Sequence, residues 1–383
     1  MVSSSPGIGI AVIGAGYWGP NLVRNAQATP GLRLEYLCDL DVERARKALG
    51  AYSTVRLCGS VDEVLADAAV AAVAIATPAG THHAIAMKAL EAGKHVLIEK
   101  PLALSYEEGR LLVEAAERRG RVVMLDHTYI YTPAVQHIRA LVRRGEIGDI
   151  QYLDSVRINR GLVQPDTDVL WDLAPHDLSI FEAILPADAW PVSGAAQGSD
   201  PVGAGHACVV HLTIRLSNGA LAHVHINWLS PIKIRTMVVG GSRRTVVWND
   251  LDPTQRLSIH DRGVDLLATD KIGPDTRGRT IVSYRTGDTV APALANEEAL
   301  RSVMIEFADS IVEGRAPLTD GRAGLRVLAM LEAASLSLAK DGIPIPISGI
   351  GDAPSPYLGR DPDPLADDLP IEQSRRGRGE VTV

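Results

Sequence analysis

A glycine-rich turn after the first apolar run constrains the fold of this chain more than any other feature. Residues 8–13 are apolar, and Gly14-Ala-Gly16-Tyr-Trp-Gly19 follows them directly, with Pro20 at the expected start of a helix. In this context the first glycine permits a tight turn, the second lets a pyrophosphate approach the backbone, and the third allows close helix–strand packing. The free N–H groups of the helix N-terminus favour an anion at the same place. The motif therefore predicts a dinucleotide-binding domain.

The pattern downstream of the turn predicts the rest of that domain. Short apolar runs alternate with amphipathic segments, and the runs cover residues 8–13, 32–37, 71–76, 95–98 and 122–125. Runs that are apolar on both faces are typical of strands covered by helices on each side. The order predicts an α/β Rossmann domain over residues 1–128, built on a doubly wound parallel sheet.

After residue 130 the pattern changes. Helices are predicted over 133–144 and 175–185, a strand over 150–159, period-two strands between 207 and 260, and a helical pair at 297–313 and 320–339. This predicts an α+β domain over residues 129–349 with an open, predominantly antiparallel sheet, used for substrate binding and oligomerisation. The tail, residues 350–383, is rich in Pro, Asp and Arg, and we expect it to be disordered.

Composition excludes several partners. The net charge of −8 disfavours nucleic acid and anionic membranes. The longest apolar run, residues 70–76, is too short to span a bilayer. The three cysteines lack metal-type spacing, and the N-terminal Met-Val-Ser-Ser-Ser-Pro-Gly lacks the basic and apolar regions of a signal peptide. We therefore predict a cytoplasmic protein with no metal site and no membrane partner.

The end of the second predicted strand indicates which dinucleotide binds. Asp39 follows the last glycine of the turn by about 20 residues, the spacing at which a carboxylate reaches the adenosine ribose hydroxyls. A carboxylate there repels a 2′-phosphate, so the sequence predicts NAD rather than NADP. Asp41 is the rival carboxylate, and we interpret it as the N-cap of the following helix.

Two further segments carry candidate catalytic residues. Glu99-Lys100-Pro101 ends a predicted parallel strand, where ligands bind in such sheets. In Trp171-Asp-Leu-Ala-Pro-His-Asp177, Pro175 is predicted to open a helix and to let Asp172 and His176 meet across its first turn. A histidine suits the base that removes a hydroxyl proton, and a lysine can donate to the developing alkoxide. The alternatives are a surface lysine and an ordinary helix start.

In this order the segments resemble the Gfo/Idh/MocA oxidoreductase family over nearly the whole chain. In that family the matching lysine, aspartate and histidine lie around the nicotinamide, and the histidine or the lysine handles the hydroxyl proton while hydride leaves the neighbouring carbon. The likeness is greatest to sugar nucleotide 3-dehydrogenases of the UDP-N-acetylglucosamine type. It rests on Gly16-Tyr-Trp-Gly-Pro-Asn21, His127-Thr-Tyr-Ile-Tyr-Thr-Pro133, Trp171–Asp177 and Asn227-Trp-Leu-Ser-Pro231. Asp126 departs from the small residue expected there, so it either shifts the charge beside the nicotinamide or joins a hydrogen-bond network.

Motif and resemblance together assign the candidate site. Catalysis is assigned to Lys100, Asp172 and His176. The predicted cofactor-binding residues are Gly14, Gly16, Tyr17, Trp18, Gly19, Asp39, Thr77, Pro78, His82, Glu99 and Lys100. The predicted substrate-binding residues are Lys100, Arg157, Asn159, Asp172 and His176. Two alternatives stay open: an exposed strand face for Arg157, which otherwise meets a phosphate or carboxylate, and a solvated helix face for His82.

The function that these expectations imply is hydride transfer between NAD and a ring secondary alcohol, at C3, of a sugar or sugar nucleotide. The alternatives are an inositol or free-sugar dehydrogenase, an NAD-dependent glycosidase that oxidises C3 transiently, and a non-catalytic sensor of NAD and sugar. An open sheet needs covering, which favours a homodimer or homotetramer.

Overall fold

The first half of the chain builds the parallel sheet that the apolar runs predict. The computed structural model describes residues 7–50, 53–165, 167–266 and 282–349, so the predicted disorder of 350–383 lies outside the described residues. Within the described part the sheet has six parallel strands: β1 (Ile8–Ile13), β2 (Leu32–Cys38), β3 (Arg56–Cys58), β4 (Ala72–Ile75), β5 (His95–Glu99) and β6 (Val123–Asp126). The sequence analysis did not predict β3. This strand lies at the sheet edge and has three residues, too few to form a recognisable apolar run.

Helices connect these strands and cover the sheet. They are α1 (Gly19–Ala28), α2 (Val42–Leu49), α3 (Val61–Ala66), α4 (His82–Glu91) and α5 (Tyr106–Arg119). Asp41 caps α2 as predicted, since its carboxylate accepts a hydrogen bond from the Arg44 N–H at 3.0 Å.

The strand order places the candidate residues together. The order β3-β2-β1-β4-β5-β6 reverses direction between β1 and β4, and in open α/β sheets ligands bind at that switch point, outside the carboxyl ends of the strands. The glycine turn follows β1, Asp39 follows β2 and Lys100 follows β5. The fold therefore gathers three separate segments at one edge.

The second half of the chain forms a mixed sheet, mostly antiparallel and open, as predicted. Its nine described strands have the bounds β7 (Ile150–Arg160), β8 (Pro191–Ser199), β9 (Val209–Leu216), β10 (Leu221–Asn227), β11 (Leu229–Gly241), β12 (Thr245–Asn249), β13 (Leu257–His260), β16 (Thr289–Val290) and β17 (Ile345–Pro346). A separate pair consists of β14 (Gly263–Leu266) and β15 (Val282–Arg285). The order is β16-β13-β12-β11-β7-β10-β9-β8-β17, with β7 parallel to β10 and antiparallel to β11.

The described part of this half of the chain also contains four helices: α6 (Pro133–Arg143), α7 (Val169–Ile184), α8 (Ala299–Glu313) and α9 (Gly321–Leu338). α7 and α9 pack against each other and against one sheet face. On the other face Tyr152 and Leu221 are exposed. That uncovered face is the physical basis of the predicted homo-oligomer, which stays a prediction.

Helix α7 begins earlier than its proline suggests. We predicted a helix over 175–185 opened by Pro175, whereas α7 begins at Val169 and holds Pro175 in its interior. Asp168 supplies the true N-cap, because its carboxylate accepts from the Trp171 N–H at 2.9 Å. A proline at 175 has no N–H to donate one turn back, and the cap and the buried face of α7 offset that loss.

The two halves of the chain also pack on each other. The Thr319 hydroxyl donates to the Leu125 carbonyl at 2.6 Å, and the Leu125 N–H donates to the Thr319 carbonyl at 2.8 Å. Phe307 of α8 belongs to the same buried cluster as Ile10 of β1. Among the described residues no helix has the length and apolar character needed to span a membrane.

Candidate active site

The glycine turn has the geometry of a phosphate cradle. Gly14 has a φ of +104°, and a Cβ there would lie 2.6 Å from the Ala76 carbonyl oxygen. A Cβ on Gly19 would lie 2.1 Å from the Gly14 carbonyl oxygen, so neither position accepts a side chain. By contrast, apart from Gly16 itself and its two chain neighbours, no atom of the described residues lies within 4 Å of the Cβ position of Gly16. The backbone at Gly16 is therefore open to a ligand, as the motif predicts.

Asp39 supports the turn from the end of β2. Its Oδ2 accepts from the Ala15 N–H at 2.6 Å, and its Oδ1 accepts from the Asp41 N–H at 2.8 Å. The carboxylate thus braces the glycine turn besides standing where the ribose hydroxyls are expected. Within the turn, the Tyr17 side chain is almost fully exposed.

His82 joins the ends of two neighbouring strands. Its Nδ1 lies 2.8 Å from the Pro101 carbonyl oxygen, and its Nε2 lies 2.9 Å from the Thr77 carbonyl oxygen. The ring is buried, and burial lowers its pKa below the ordinary value. The alternative of a solvated helix face is therefore wrong. His82 connects Thr77-Pro78 after β4 to the Lys100-Pro101 segment after β5, where the peptide bond is cis.

Lys100 and Asp172 meet across the boundary between the two halves of the chain. The Lys100 Nζ lies 3.1 Å from the Asp172 Oδ1 and donates to the Asp172 carbonyl oxygen at 2.7 Å. The Trp228 indole N–H donates to the other carboxylate oxygen, Oδ2, at 3.0 Å. The sequence predicted that Asp172 meets His176 one turn along the helix. In the structure Asp172 instead binds Lys100 and Trp228.

His176 lies one turn after Asp172 on α7, in a cationic environment. Its ring meets the Tyr129 ring edge to face, with centroids 5.0 Å apart. Burial holds the His176 pKa well below the ordinary value, and the charges of Lys100 and Arg157 lower that pKa further. The imidazole is therefore neutral at neutral pH and able to accept a proton.

Arg157 does not have the role that we predicted. It is 3% exposed and its Nε lies 2.7 Å from the Asp177 Oδ2, so its charge is neutralised inside the protein and not offered to a phosphate or carboxylate. The alternative of an exposed strand face is also wrong. Strand position alone did not reveal the partner, because Asp177 comes from α7. Asn159, two residues along β7, is half-buried and stays a predicted substrate ligand.

A second carboxylate group sits at the end of β6. The Asp126 Oδ2 accepts from the Trp18 indole N–H at 3.1 Å, and its Oδ1 accepts from the Thr128 hydroxyl at 2.6 Å. Of the two roles considered for Asp126, the structure shows the hydrogen-bond network. That network ties the glycine turn to β6.

Several buried polar atoms at this edge have no hydrogen-bond partner among the described residues. They are the Glu99 Oε1, both ring nitrogens of His127 and the Nδ1 of His176. Buried polar groups are normally paired, and unpaired ones concentrate where a ligand or water completes them. Together with the open backbone at Gly16, these atoms fit a dinucleotide whose nicotinamide end reaches the ends of β5 and β6.

Sequence reasoning missed three residues of this site. Tyr129 contacts His176, Trp228 holds Asp172, and Asp177 neutralises Arg157. Each lies in a segment that carries the family resemblance, and that was the one available signal. Trp228 is buried, and its indole N–H is directed at the Asp172 carboxylate.

The histidines of the open sheet do not form a recognisable metal centre. Among the described residues, no group of three or more His, Cys, Asp or Glu side chains is placed to hold a metal ion. His223 and His225 share a face with His211, and their rings stack on it at centroid distances of 5.8 and 4.2 Å. The prediction of no metal site stays a prediction.

Comparison with known proteins identifies the family of this chain. The oxidoreductase family with an NAD-binding Rossmann fold, Gfo/Idh/MocA, matches residues 8–127, and the C-terminal domain of the same family matches residues 135–247. The UDP-N-acetylglucosamine 3-dehydrogenase of Acidithiobacillus ferrooxidans is 31% identical over 83% of this chain and 93% of its own length. The chain belongs to the Gfo/Idh/MocA oxidoreductase family. It is thus an NAD-binding oxidoreductase.

Other relatives share the same architecture. The D-apiose dehydrogenase of Paraburkholderia graminis is 26% identical over 87% of this chain and 88% of that protein. The solved structure of the Acidithiobacillus ferrooxidans enzyme superposes with a TM-score of 0.73 at 28% identity, covering 88% of this chain and 99% of that one. A structure of GenD2 from gentamicin A biosynthesis, in complex with NAD, superposes with a TM-score of 0.73 at 24% identity. The superposition covers 90% of this chain and 98% of that one.

We predict that Asp39→Asn weakens the preference for NAD⁺ over NADP⁺ without collapsing the glycine turn. The amide oxygen keeps the bond from the Ala15 N–H, the bond from the Asp41 N–H is lost, and the charge that repels a 2′-phosphate is removed. Titration of both cofactors, followed by protein fluorescence, measures the ratio of dissociation constants. Asp39→Ala is the matched comparison, because it also removes the brace and should weaken both cofactors. Tighter binding of NADP⁺ by the unaltered protein would contradict the assignment.

Proposed function

We propose that this protein oxidises a ring secondary hydroxyl, at C3, of a nucleotide-linked hexose, or reduces the corresponding ketone. The observation that carries the proposal is the meeting of Lys100 and Asp172 beside His176, at the sheet edge where the dinucleotide is expected to end. The nucleotide-linked substrate is supported by the 31% identity to a UDP-N-acetylglucosamine 3-dehydrogenase over most of both chains.

In the proposed reaction His176 accepts the hydroxyl proton. A neutral imidazole is required for this, and burial together with the cations around it favours the neutral form. The Tyr129 ring packs against the imidazole and limits its orientation. NAD supplies the hydride acceptor, so this chain contributes the base and the position of the substrate carbon.

Lys100 contributes a positive charge to the oxygen that loses the proton. An ammonium group near a developing alkoxide stabilises the transition state, most strongly where water is excluded. Asp172 and the backbone carbonyl of the same residue hold the Lys100 Nζ on the α7 side of the cleft. Because the ammonium group is already held in place, it does not have to be reoriented as the reaction proceeds. This lowers the activation free energy.

A substrate screen tests the proposal. The protein is incubated with NAD⁺ and UDP- or dTDP-hexoses, free hexoses and inositols, and NADH is followed by absorbance. We expect turnover with a nucleotide-linked hexose, and reduction of the product with borodeuteride should place deuterium at C3. Turnover of inositol or a free sugar alone would favour the polyol alternative. Cleavage of the glycosidic bond without net NADH would favour the glycosidase.

We further predict that Lys100→Ala and His176→Ala each lower kcat by roughly 10²–10⁴-fold while NAD⁺ binding is retained. Both residues act on one oxygen and its proton, so the double variant should lose much less than the product of the single losses. His176→Ala should also remove the acidic limb of the pH–rate profile, which lies below the ordinary histidine pKa because that pKa is lowered.

Lys88→Ala is the matched control, since Lys88 is an exposed lysine paired with Asp62 on the surface. Its kcat should stay at the level of the unaltered protein. If His176→Ala turned over at the unaltered rate with an unchanged pH profile, the histidine would be structural, and Lys100 would be the base.

A further inference from the structure

Two carboxyl groups lie side by side where the dinucleotide is expected to end. Glu99 closes β5 and Asp126 closes β6, and the two residues are register partners in adjacent parallel strands. Their side chains therefore point to the same side of the sheet edge. Asp126 is 1% exposed, and the Glu99 Oε1 is buried. Two negative charges on neighbouring buried side chains are unfavourable, which disfavours the ionisation of both carboxyl groups at once.

The two residues differ in their hydrogen bonds. Both Asp126 oxygens accept hydrogen bonds, one from the Trp18 N–H and one from the Thr128 hydroxyl. Glu99 accepts one backbone bond, from the Lys100 N–H at 3.2 Å, and its Oε1 has no partner among the described residues. Burial, and then the charge of Asp126, raise the Glu99 pKa well above its ordinary value, and these effects outweigh the neighbouring Lys100 charge and N–H, which act to lower it. Glu99 is therefore the neutral member of the pair.

We propose that Glu99 and Asp126 hold one proton between them in the free protein, and that binding of NAD⁺ expels this proton whereas binding of NADH does not. The oxidised nicotinamide ring carries a positive charge and the reduced ring is neutral. A positive charge near the pair favours its doubly ionised form, and a neutral ring leaves the proton in place. The Glu99 proton passes to the solvent, and no group is oxidised or reduced in this step.

The other titratable groups around the pair do not supply that proton. Burial lowers the pKa of His127 to about 3, so its ring is already neutral near pH 7. The pKa values of His82 and His176 are also lowered by burial. Lys100 is held by Asp172 on the side of α7. Since only NAD⁺ binding releases a proton, its affinity should rise with pH through the titration of Glu99, while the affinity for NADH should not.

This inference rests on NAD binding and is independent of which sugar is oxidised. Through the carboxyl pair the protein distinguishes NAD⁺ from NADH. Near neutral pH the binding of NAD⁺ displaces a proton from the pair, whereas the binding of NADH does not. The experiment therefore uses cofactor alone, and an error in the proposed substrate would leave its result unchanged.

The test is isothermal titration calorimetry of the full chain with NAD⁺ and with NADH near pH 7. Each titration is run in phosphate, HEPES and Tris, which differ in ionisation enthalpy, and the slope of the observed enthalpy against that quantity counts the protons exchanged. We expect net release for NAD⁺, up to one proton, and close to none for NADH. Glu99→Gln should abolish the difference. Glu43→Gln removes an exposed glutamate of α2 and should leave it intact.

Equal proton exchange for the two cofactors would overturn the proposal, and so would a release that persists in Glu99→Gln. If Glu99→Gln does not fold or does not bind cofactor, infrared difference spectroscopy of the unaltered protein gives the answer. NAD⁺ should remove the absorption of one protonated carboxylic acid, and NADH should not. An unchanged carboxylic acid band with both cofactors would equally overturn it.

Discussion

The contact between Lys100 and Asp172 is the interaction on which the rest of the site depends. Lys100 ends a strand of the parallel sheet, and Asp172 lies in the first turns of α7, which packs on the second sheet. Among the described residues neither side chain forms an ion pair with any other residue, so the lysine is positioned only when the two halves are packed together. Trp228 holds the second carboxylate oxygen and fixes its orientation. Chemistry at this edge therefore requires both domains.

Two arginine–carboxylate ion pairs surround His176 and influence the protonation of its ring. Arg157 is paired with Asp177, and Arg235 is paired with Asp250 at 2.6 Å. Both guanidinium groups stack on the Tyr129 ring, at 4.5 and 5.1 Å from its centroid. The paired carboxylates limit the cost of burying these cations. The cations still lower the His176 pKa, which keeps the imidazole unprotonated and at the same time reduces its basicity.

Much of the architecture could be predicted from the sequence because it depends on local patterns. Apolar runs and the glycine motif predicted the parallel sheet, and alternation predicted the second sheet. The predictions that failed depended on contacts that the local sequence pattern does not show. Pro175 suggested a helix start, but the cap at Asp168 decides where α7 begins. Arg157 looked like a substrate ligand, but its partner comes from another element. No spacing rule reveals that the Trp228 N–H reaches Asp172, since the two residues meet only after the sheet and helix have packed.

A double-mutant cycle on Lys100 and Asp172 tests this account most directly. Lys100→Met, Asp172→Asn and the combined variant are unfolded in urea, and the coupling free energy is calculated from the four stabilities. Because the two side chains are mostly buried and in contact, the account predicts a favourable coupling of about 0.5–3 kcal/mol. A control cycle combines Lys100→Met with Asp62→Asn, which replaces an exposed carboxylate that does not contact Lys100. No coupling is expected in that cycle. Additive losses for Lys100 and Asp172 would contradict the account, because the contact would then do nothing to hold the two halves of the site together.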